Sequence, residues 1–301
     1  MLDALSRAAG LLMLAAAFTP SLGTTCHAQG VGNPPALLVS TQWVQDNLAN
    51  ITLVDVRDGG PYGSGHLPGA IHVKWKTFSD PAAPHPGNLH PDRAKLAQML
   101  GAMGISSEAS VVIYADPLNN WGEEGRMFWM LEYLGHQRVA IMDGGWPRWA
   151  AEHRPTQTGP VPSVTVKYTP APVDGRIIGW QEIQKRLADP TLTLVDTRTL
   201  AEYNGATPYG EARGGRIPGA VHLQWDLLLD AKGAFRTKPE LEAALKARGI
   251  VAGKENACYC TGGVRSGFVY FVMRYLGFPR ERNYDGSFWE WAGKPELPVE
   301  K

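Results

Sequence analysis

The sequence predicts an α/β protein of two tandem domains, each a mostly parallel sheet covered by helices on both faces. The chain has 301 residues, a length that suits two domains better than one. Short apolar segments alternate with amphipathic segments, as expected for strands that are followed by helices. A set of sequence landmarks also occurs twice in the same order, with a period of roughly 140 residues.

The repeat is visible in four pairs of short segments. Residues 53–57 (LVDVR) return as 194–198 (LVDTR), 66–70 (HLPGA) as 216–220 (RIPGA), 133–135 (YLG) as 275–277 (YLG), and 143–144 (DG) as 285–286 (DG). We therefore predict one domain over residues 36–154 and a second over 176–301. The proline-rich residues 155–175 between them are predicted to be an extended linker, because proline disfavours helix.

Each half contains strands and helices in the same order. The predicted elements are strands 52–56, 111–114 and 139–142 with helices 91–100 and 125–134, and then strands 193–197, 257–259 and a tract around Asn283 with helices 239–247 and 267–276. The strands are short and mostly apolar, which is typical of a parallel sheet that is buried on both faces.

Composition excludes several classes of protein. Hydrophobic residues make up 44% and charged residues 19%, a normal globular mixture rather than that of a disordered chain. The 29 basic side chains balance 29 acidic ones without a basic run, so nothing indicates binding to nucleic acid. Three cysteines cannot form a disulfide framework, and no spacing of cysteine and histidine fits a zinc or other metal site.

Residues 1–28 have the pattern of a secretory signal peptide. Arg7 precedes an apolar run over 8–18 that is too short to cross a bilayer, and small residues then lead to a possible cleavage site after Ala28. We expect an exported, periplasmic protein with no membrane span after processing. A short membrane anchor and a disordered tail are the alternatives.

The segment that carries the chemistry follows a strand of the second half. Cys260 opens the sequence CTGGVRS (260–266), after which a helix is predicted from about Gly267. Two glycines allow the backbone amides to curl inward as an anion-binding nest. The helix N-terminus adds positive potential there, and Arg265 adds a full charge. A cysteine in this position is expected to have a lowered pKa and to exist as a nucleophilic thiolate.

Around this loop the chain resembles the tandem-domain sulfurtransferases of the rhodanese and 3-mercaptopyruvate sulfurtransferase family. The resemblance runs from about Ala36 to the C-terminus. It rests on the loop, on the Asp-x-Arg after the first predicted strand of each half, and on residues 65–70 (GHLPGA), 143–146 (DGGW) and 284–287 (YDGS). Only the C-terminal domain of this family carries the nucleophile. The chain agrees, because Ala115 occupies the position in the first half that Cys260 occupies in the second.

The resemblance implies a double displacement that needs no cofactor. Cys260 would take a sulfane sulfur from an anionic donor, thiosulfate in preference to 3-mercaptopyruvate, and pass it from a persulfide to cyanide or a thiol. The expected substrate-binding residues are Thr261, Gly262, Gly263, Val264, Arg265, Ser266, Arg213 and Arg216. Arg213 and Arg216 are included because Glu202 stands where the family has a donor-binding arginine. A monomer is expected, since each domain of such a tandem pair covers a face of the other.

Three other hypotheses start from the same residues. Phosphatases of a related fold use a Cys-x5-Arg loop, whereas Cys260 and Arg265 enclose only four residues. A non-catalytic rhodanese-like module that carries sulfur to a partner would also fit this atypical loop. Redox exchange between Cys258 and Cys260 is the third, although a disulfide across so short a link would be strained.

Several other groups are expected to be structural. Asp55 with Arg57, and Asp196 with Arg198, follow equivalent strands in both halves, which favours structural ion pairs over a catalytic role. Cys258 is expected to pack as a small core residue. A group of tryptophans is also expected to lie in the core: Trp121, Trp129, Trp146 and Trp149.

Overall fold

The computed structural model describes residues 33–34 and 36–301, and these form two α/β domains in tandem. The predicted signal peptide, residues 1–28, lies outside the described residues and stays a prediction. Among the residues that are described, no helix is both long enough and apolar enough to cross a bilayer.

The first domain is built on a five-stranded parallel sheet with the strand order β1-β5-β4-β2-β3. Its elements in chain order are β1 (Leu38–Val39), α1 (Thr41–Asn47), β2 (Thr52–Asp55), α2 (Gly59–Ser64), β3 (Ile71–His72), α3 (Arg93–Ala102), β4 (Val111–Tyr114), α4 (Glu123–Tyr133), β5 (Val139–Met142) and α5 (Gly145–Ala151). The predicted strands 111–114 and 139–142 coincide with β4 and β5.

The second domain repeats this plan with the strand order β6-β10-β9-β7-β8, again all parallel. Its elements are β6 (Ile177–Ile178), α6 (Trp180–Lys185), β7 (Leu192–Asp196), α7 (Leu200–Tyr203), β8 (Val221–His222), α8 (Lys238–Lys246), β9 (Glu255–Tyr259), α9 (Val264–Tyr275), β10 (Glu281–Tyr284) and α10 (Ser287–Ala292). The predicted α/β class with tandem parallel sheets is confirmed.

Alternate strand residues point to opposite faces of a sheet, and both faces of each sheet carry apolar side chains that helices cover. In the first domain, Leu53 and Val112 pack in one apolar cluster with Trp149 of α5. Their neighbours Val54 and Val111 belong to a second cluster, which includes side chains of α3 and α4. The second domain divides in the same way, with α6 and α10 on one face and α8 and α9 on the other.

The two domains meet where α4 lies against α9, and one apolar cluster runs through both. Glycines allow the two helices to approach backbone to backbone. A Cβ atom on Gly125 would lie 2.2 Å from the Cα atom of Phe268, and one on Gly267 would lie 2.8 Å from the Cα atom of Arg126. This close contact holds the N-terminal end of α9, and the loop before it, against the first domain.

The segment 155–173 connects the domains without forming a helix or a named strand. It follows the first domain through backbone hydrogen bonds. Gln157 exchanges two of them with His66, Val166 donates to a carbonyl in α3, and Ala171 donates to the carbonyl that ends α4.

Candidate active site

Cys260 lies at the base of a pocket of about 320 Å³ between the two domains. It directly follows β9, which lies between β10 and β7 in its sheet, and its side chain is only 1% exposed. The carboxyl ends of parallel strands are where open α/β sheets bind ligands. The first domain lines the pocket with Lys74, Trp75, Lys76, Asn120, Trp121 and Glu123, and the second with Tyr209, Thr261, Gly262, Val264, Arg265 and Trp289.

The loop after Cys260 is shorter than the sequence predicted. Helix α9 begins at Val264 rather than at about Gly267, so Arg265 and Ser266 belong to its first turn. Gly263 makes the early start possible, because its φ of +79° lies in the left-handed region that favours glycine. A Cβ atom on this residue would also lie 2.5 Å from the carbonyl oxygen of Asp285.

Several groups stabilise a thiolate at Cys260. The backbone N–H of Gly263 donates to Sγ at 3.1 Å, and the hydroxyl of Ser266 lies 3.8 Å from it. Burial would raise the pKa of the thiol. The charge of Arg265 and the hydrogen bonds from Ser266 and from the loop backbone outweigh that effect, so the pKa of Cys260 is lowered. The expected lowering of this pKa therefore follows from the structure.

Arg265 is held by a buried ion pair with Glu202. This glutamate lies in the single turn of α7. Nη1 and Nη2 donate to the two carboxylate oxygens at 2.7 Å each, and Nη2 also donates to the hydroxyl of Thr261 at 2.7 Å. Although burial opposes ionisation, this contact lowers the pKa of Glu202 to about 2. In the sequence, Glu202 marks only the place of a missing arginine. In the structure it is the partner that orients Arg265.

Arg213 and Arg216, the two arginines expected to bind the donor, do not line the pocket of Cys260. Arg213 donates four hydrogen bonds to backbone carbonyls of the C-terminal segment 291–297. Arg216 pairs with Glu300 and lies over the ring of Tyr203, 4.5 Å from its centroid. Both guanidinium groups fasten the C-terminal segment to the second domain. The pocket is lined instead by Lys74 and Lys76 of the first domain, a contribution that no local pattern indicated.

The tryptophans divide between core and pocket. Trp129 and Trp149 are fully buried, as predicted, but Trp121 is 49% exposed and lines the pocket. The guanidinium carbon of Arg265 lies 5.5 Å from the ring of Trp121 and 5.6 Å from that of Tyr209. These two rings therefore form an apolar rim above the loop's ion pair.

The Asp-x-Arg pairs are structural, as their symmetry predicted. Arg57 pairs with Asp55 at 2.6 Å and donates to the carbonyl of Gly65 at 2.7 Å, and all of these groups are buried. Arg198 and Asp196 repeat the same arrangement in the second domain, where Arg198 also donates to the carbonyl that precedes Arg216.

The first domain keeps the frame of the site without a nucleophile. Tyr114 ends β4 and accepts a hydrogen bond from a backbone N–H at 3.1 Å, and Tyr259 does the same at the end of β9. Ala115 therefore stands where Cys260 stands. Cys258 is fully buried 3.9 Å from the sulfur of Met273, and burial raises its pKa, which agrees with a packing role.

Comparisons with known proteins agree with this geometry. The family model for the rhodanese-like domain matches twice, over residues 40–152 and 180–294. A thiosulfate sulfurtransferase of Azotobacter vinelandii is 35% identical over 257 residues, which cover 83% of this chain and 91% of that protein. The sulfur carrier protein TtuD of Thermus thermophilus is 33% identical over 284 residues, covering 89% of this chain and 97% of that protein.

The fold is also found among solved structures. That of SseA from Escherichia coli, which is described as a 3-mercaptopyruvate sulfotransferase, matches with a TM-score of 0.73 and 24% identity, covering 84% of this chain and 98% of the other. A doubled rhodanese-like domain, with the cysteine loop in the second copy, agrees with the thiosulfate sulfurtransferase similarity. The chain belongs to the rhodanese family and is a tandem-domain sulfurtransferase.

Proposed function

We propose that the protein moves a sulfane sulfur from thiosulfate to a thiophilic acceptor through a persulfide on Cys260. The observation that carries the proposal is the position of Sγ. It lies at the base of the pocket, accepts the N–H of Gly263 at 3.1 Å, and has a pKa lowered by Arg265 and Ser266. This is an activated nucleophile whose negative charge is stabilised by the loop amides and by Arg265.

The reaction has two balanced steps. In the first, the Cys260 thiolate attacks the outer sulfur of thiosulfate, an S–S bond forms to the cysteine, and the S–S bond of the donor breaks with release of sulfite. In the second, cyanide or a thiolate attacks the terminal sulfur of the persulfide, and the cysteine thiolate leaves. The negative charge that moves between the two sulfur atoms stays within reach of the loop amides.

The same geometry disfavours the phosphatase hypothesis. A phosphatase arginine must be free to bind the phosphate oxygens in a bidentate manner. Here both terminal nitrogens of Arg265 are engaged by Glu202, and only Cys260–Gly263 precede the helix. The redox hypothesis is weakened as well, because Cys258 is buried with a raised pKa.

The choice of donor rests on the relatives. The thiosulfate sulfurtransferase of Azotobacter vinelandii supports thiosulfate, whereas the match to SseA, at 24% identity, supports the fold alone. 3-Mercaptopyruvate is therefore the alternative donor, and initial rates with both compounds distinguish them.

Intact mass spectrometry tests the persulfide directly. After incubation with thiosulfate, we expect the protein to gain one sulfur atom and to lose it when cyanide is added. Cys260→Ser should show no gain, whereas Cys258→Ser, the matched control, should behave like the unmodified chain. If no adduct forms with either donor, the proposal is wrong. If Cys258→Ser abolishes turnover, the redox hypothesis replaces it.

A second candidate is a sulfur carrier that hands the persulfide to a partner protein. Two observations favour it: the similarity to TtuD, and the apolar side chains of Trp121 and Tyr209, 49% and 39% exposed, at the mouth of the pocket. Slow turnover with cyanide together with fast transfer to a co-purified protein would support the carrier. Fast turnover with small acceptors supports the enzyme.

Export to the periplasm and a monomeric state are further parts of the proposal. Export is supported by the signal-like sequence over residues 1–28. Cell fractionation with N-terminal sequencing of the mature protein tests it, and light scattering after gel filtration tests the monomer.

A further inference from the structure

The second domain alone gives the pocket an unfavourable charge for an anionic donor. The positive charge of Arg265 is matched by Glu202 at 2.7 Å, and a second buried carboxylate, Glu211, lies 3.4 Å from the hydroxyl of Thr261. The Cys260 thiolate adds another negative charge. A dianion such as thiosulfate therefore meets more negative than positive charge from this side of the pocket.

The first domain supplies the two lysines that line the same pocket. Lys74 forms an ion pair with Asp58, which also lines the pocket, so that its charge is matched. Lys76 is exposed, and none of the acidic side chains in the described part of the chain lies within ion-pair distance of it. The charge of Lys76 acts on Asp58 at longer range, but Lys74 forms the ion pair, so Lys76 is the lining lysine whose ammonium group keeps its donors for a ligand.

The backbone of Lys76 is well anchored. It belongs to the short 3₁₀ turn Trp75–Phe78, in which both aromatic end residues are buried. The indole of Trp75 donates to Glu123 at 3.2 Å, and the ammonium group of Lys76 lies 5.7 Å from the centroid of that indole. Lys76 is thus an exposed lining residue on an anchored turn, whereas Cys260, in the same lining, is buried.

We propose that Lys76 is a donor-binding residue that holds the sulfonate end of thiosulfate while the outer sulfur faces Cys260. The inference rests on the proposed function and adds to it that the domain without a nucleophile supplies the countercharge for the donor. Lys76 and Cys260 line the same pocket, so a donor whose outer sulfur faces Cys260 can turn its three oxygen atoms toward the exposed ammonium group and away from Glu202 and Glu211.

Single-turnover persulfide formation, measured at increasing thiosulfate concentrations, tests the proposal. For Lys76→Met we expect about a fivefold higher half-saturating concentration, the size of one partly exposed charge contact to a dianion, with the limiting rate unchanged within about twofold. Lys76→Arg should retain tight binding. The dependence on salt should be steeper for the unmodified protein than for Lys76→Met, because screening acts on the contact that the variant lacks.

Lys95→Met is the matched control. Lys95 lines a neighbouring cavity of about 480 Å³ together with Lys76, but it does not line the pocket of Cys260. Lys95→Met therefore changes the net charge of the protein as much as Lys76→Met does, without changing the pocket. The proposal is overturned if Lys76→Met saturates like the unmodified protein, or if Lys95→Met shows the same weakening. If the unmodified protein forms no persulfide at all, the proposed function fails instead, so the two failures are distinguishable.

Discussion

Arg126 of the first domain forms a buried ion pair with Asp285 of the second, and the same guanidinium donates to the carbonyl of Gly263 in the cysteine loop at 3.3 Å. Its Nη2 donates to the carbonyl of Gly87 at 2.8 Å, and Asp285 accepts the N–H of Leu89 at 2.6 Å. One side chain therefore fastens both a first-domain segment and the loop. The first domain thus holds the loop that carries Cys260 in place.

Replacing Arg126 should affect both stability and the loop. In Arg126→Met, Asp285 is left as a buried unpaired charge, and we expect a loss of about 3–5 kcal/mol in the free energy of unfolding. The double variant Arg126→Met with Asp285→Asn should recover part of that loss, because no buried charge remains unpaired. In both variants Cys260 should be alkylated more slowly than in the unmodified protein, because the loop loses its hydrogen bond from Arg126. Urea unfolding and the rate of iodoacetamide alkylation measure the two effects.

The control for this prediction is Arg138→Met. Arg138 forms an exposed pair with Glu108 at 3.5 Å, and its loss should change the free energy of unfolding by less than about 1 kcal/mol. Equal effects of Arg126→Met and Arg138→Met would contradict a special role for the buried pair.

Glu202→Gln should lower the pKa of Cys260 further. The carboxylate opposes the field of Arg265 at the thiol, so a neutral amide leaves that positive charge less compensated. Alkylation of the cysteine rises with pH as the thiolate forms, and the rise should occur at a lower pH in the variant. Glu300→Gln, which removes the surface partner of Arg216, should leave the profile unchanged. An unshifted or upward-shifted profile in Glu202→Gln would show that Arg265 does not act on the thiol in this way.

Glu124 should make the protein less stable as the pH rises. Its side chain is 1% exposed, neither carboxyl oxygen has a hydrogen-bond partner in the described chain, and burial raises its pKa from 4.5 to about 8. Between these two values the unfolded glutamate is ionised while the folded one keeps its proton. The folded state then binds more protons, and the free energy of unfolding falls as pH increases.

Glu124→Gln is neutral at every pH and should remove this fall. We expect the variant to be more stable than the unmodified protein at pH 8 by about 1–3 kcal/mol, with the difference shrinking toward pH 4.5. Urea unfolding across this range measures it. Glu108→Gln, at a side chain that is 84% exposed, serves as the control, and an identical pH slope in both variants would contradict the prediction.

Gly125→Ala should separate α4 from α9. The new Cβ atom would lie 2.2 Å from the Cα atom of Phe268, and a backbone atom cannot move aside as a side chain can. We expect a loss of about 3 kcal/mol or more in the free energy of unfolding, together with slower alkylation of Cys260. In Gly63→Ala the added methyl group meets no atom within 4 Å, and this helical position should be neutral or slightly more stable. Thermal unfolding of the pair tests the contact.

Strands β4 (VVIY) and β5 (VAIM) could be predicted with their exact bounds because each is a continuous apolar run of four residues. The edge strands β1, β3, β6 and β8 have only two residues each, and so short an element has no periodicity to detect. The predicted start of α9, at about Gly267, lies after the observed start because the left-handed backbone of Gly263 ends the loop early. The predicted core position of Trp121 is wrong because a tryptophan at the mouth of a pocket has the same local sequence pattern as a buried one.

The duplication, the cysteine loop of the second copy and the alanine at its place in the first copy can be read from the chain alone, because they depend on residue type and order. The roles of the charged residues depend on the folded structure. Glu202 and Arg265 are 63 positions apart, and Arg126 and Asp285 are 159 apart. An ion pair forms where two side chains meet in space, and the packing of sheets and domains that brings them together leaves no local pattern in the chain.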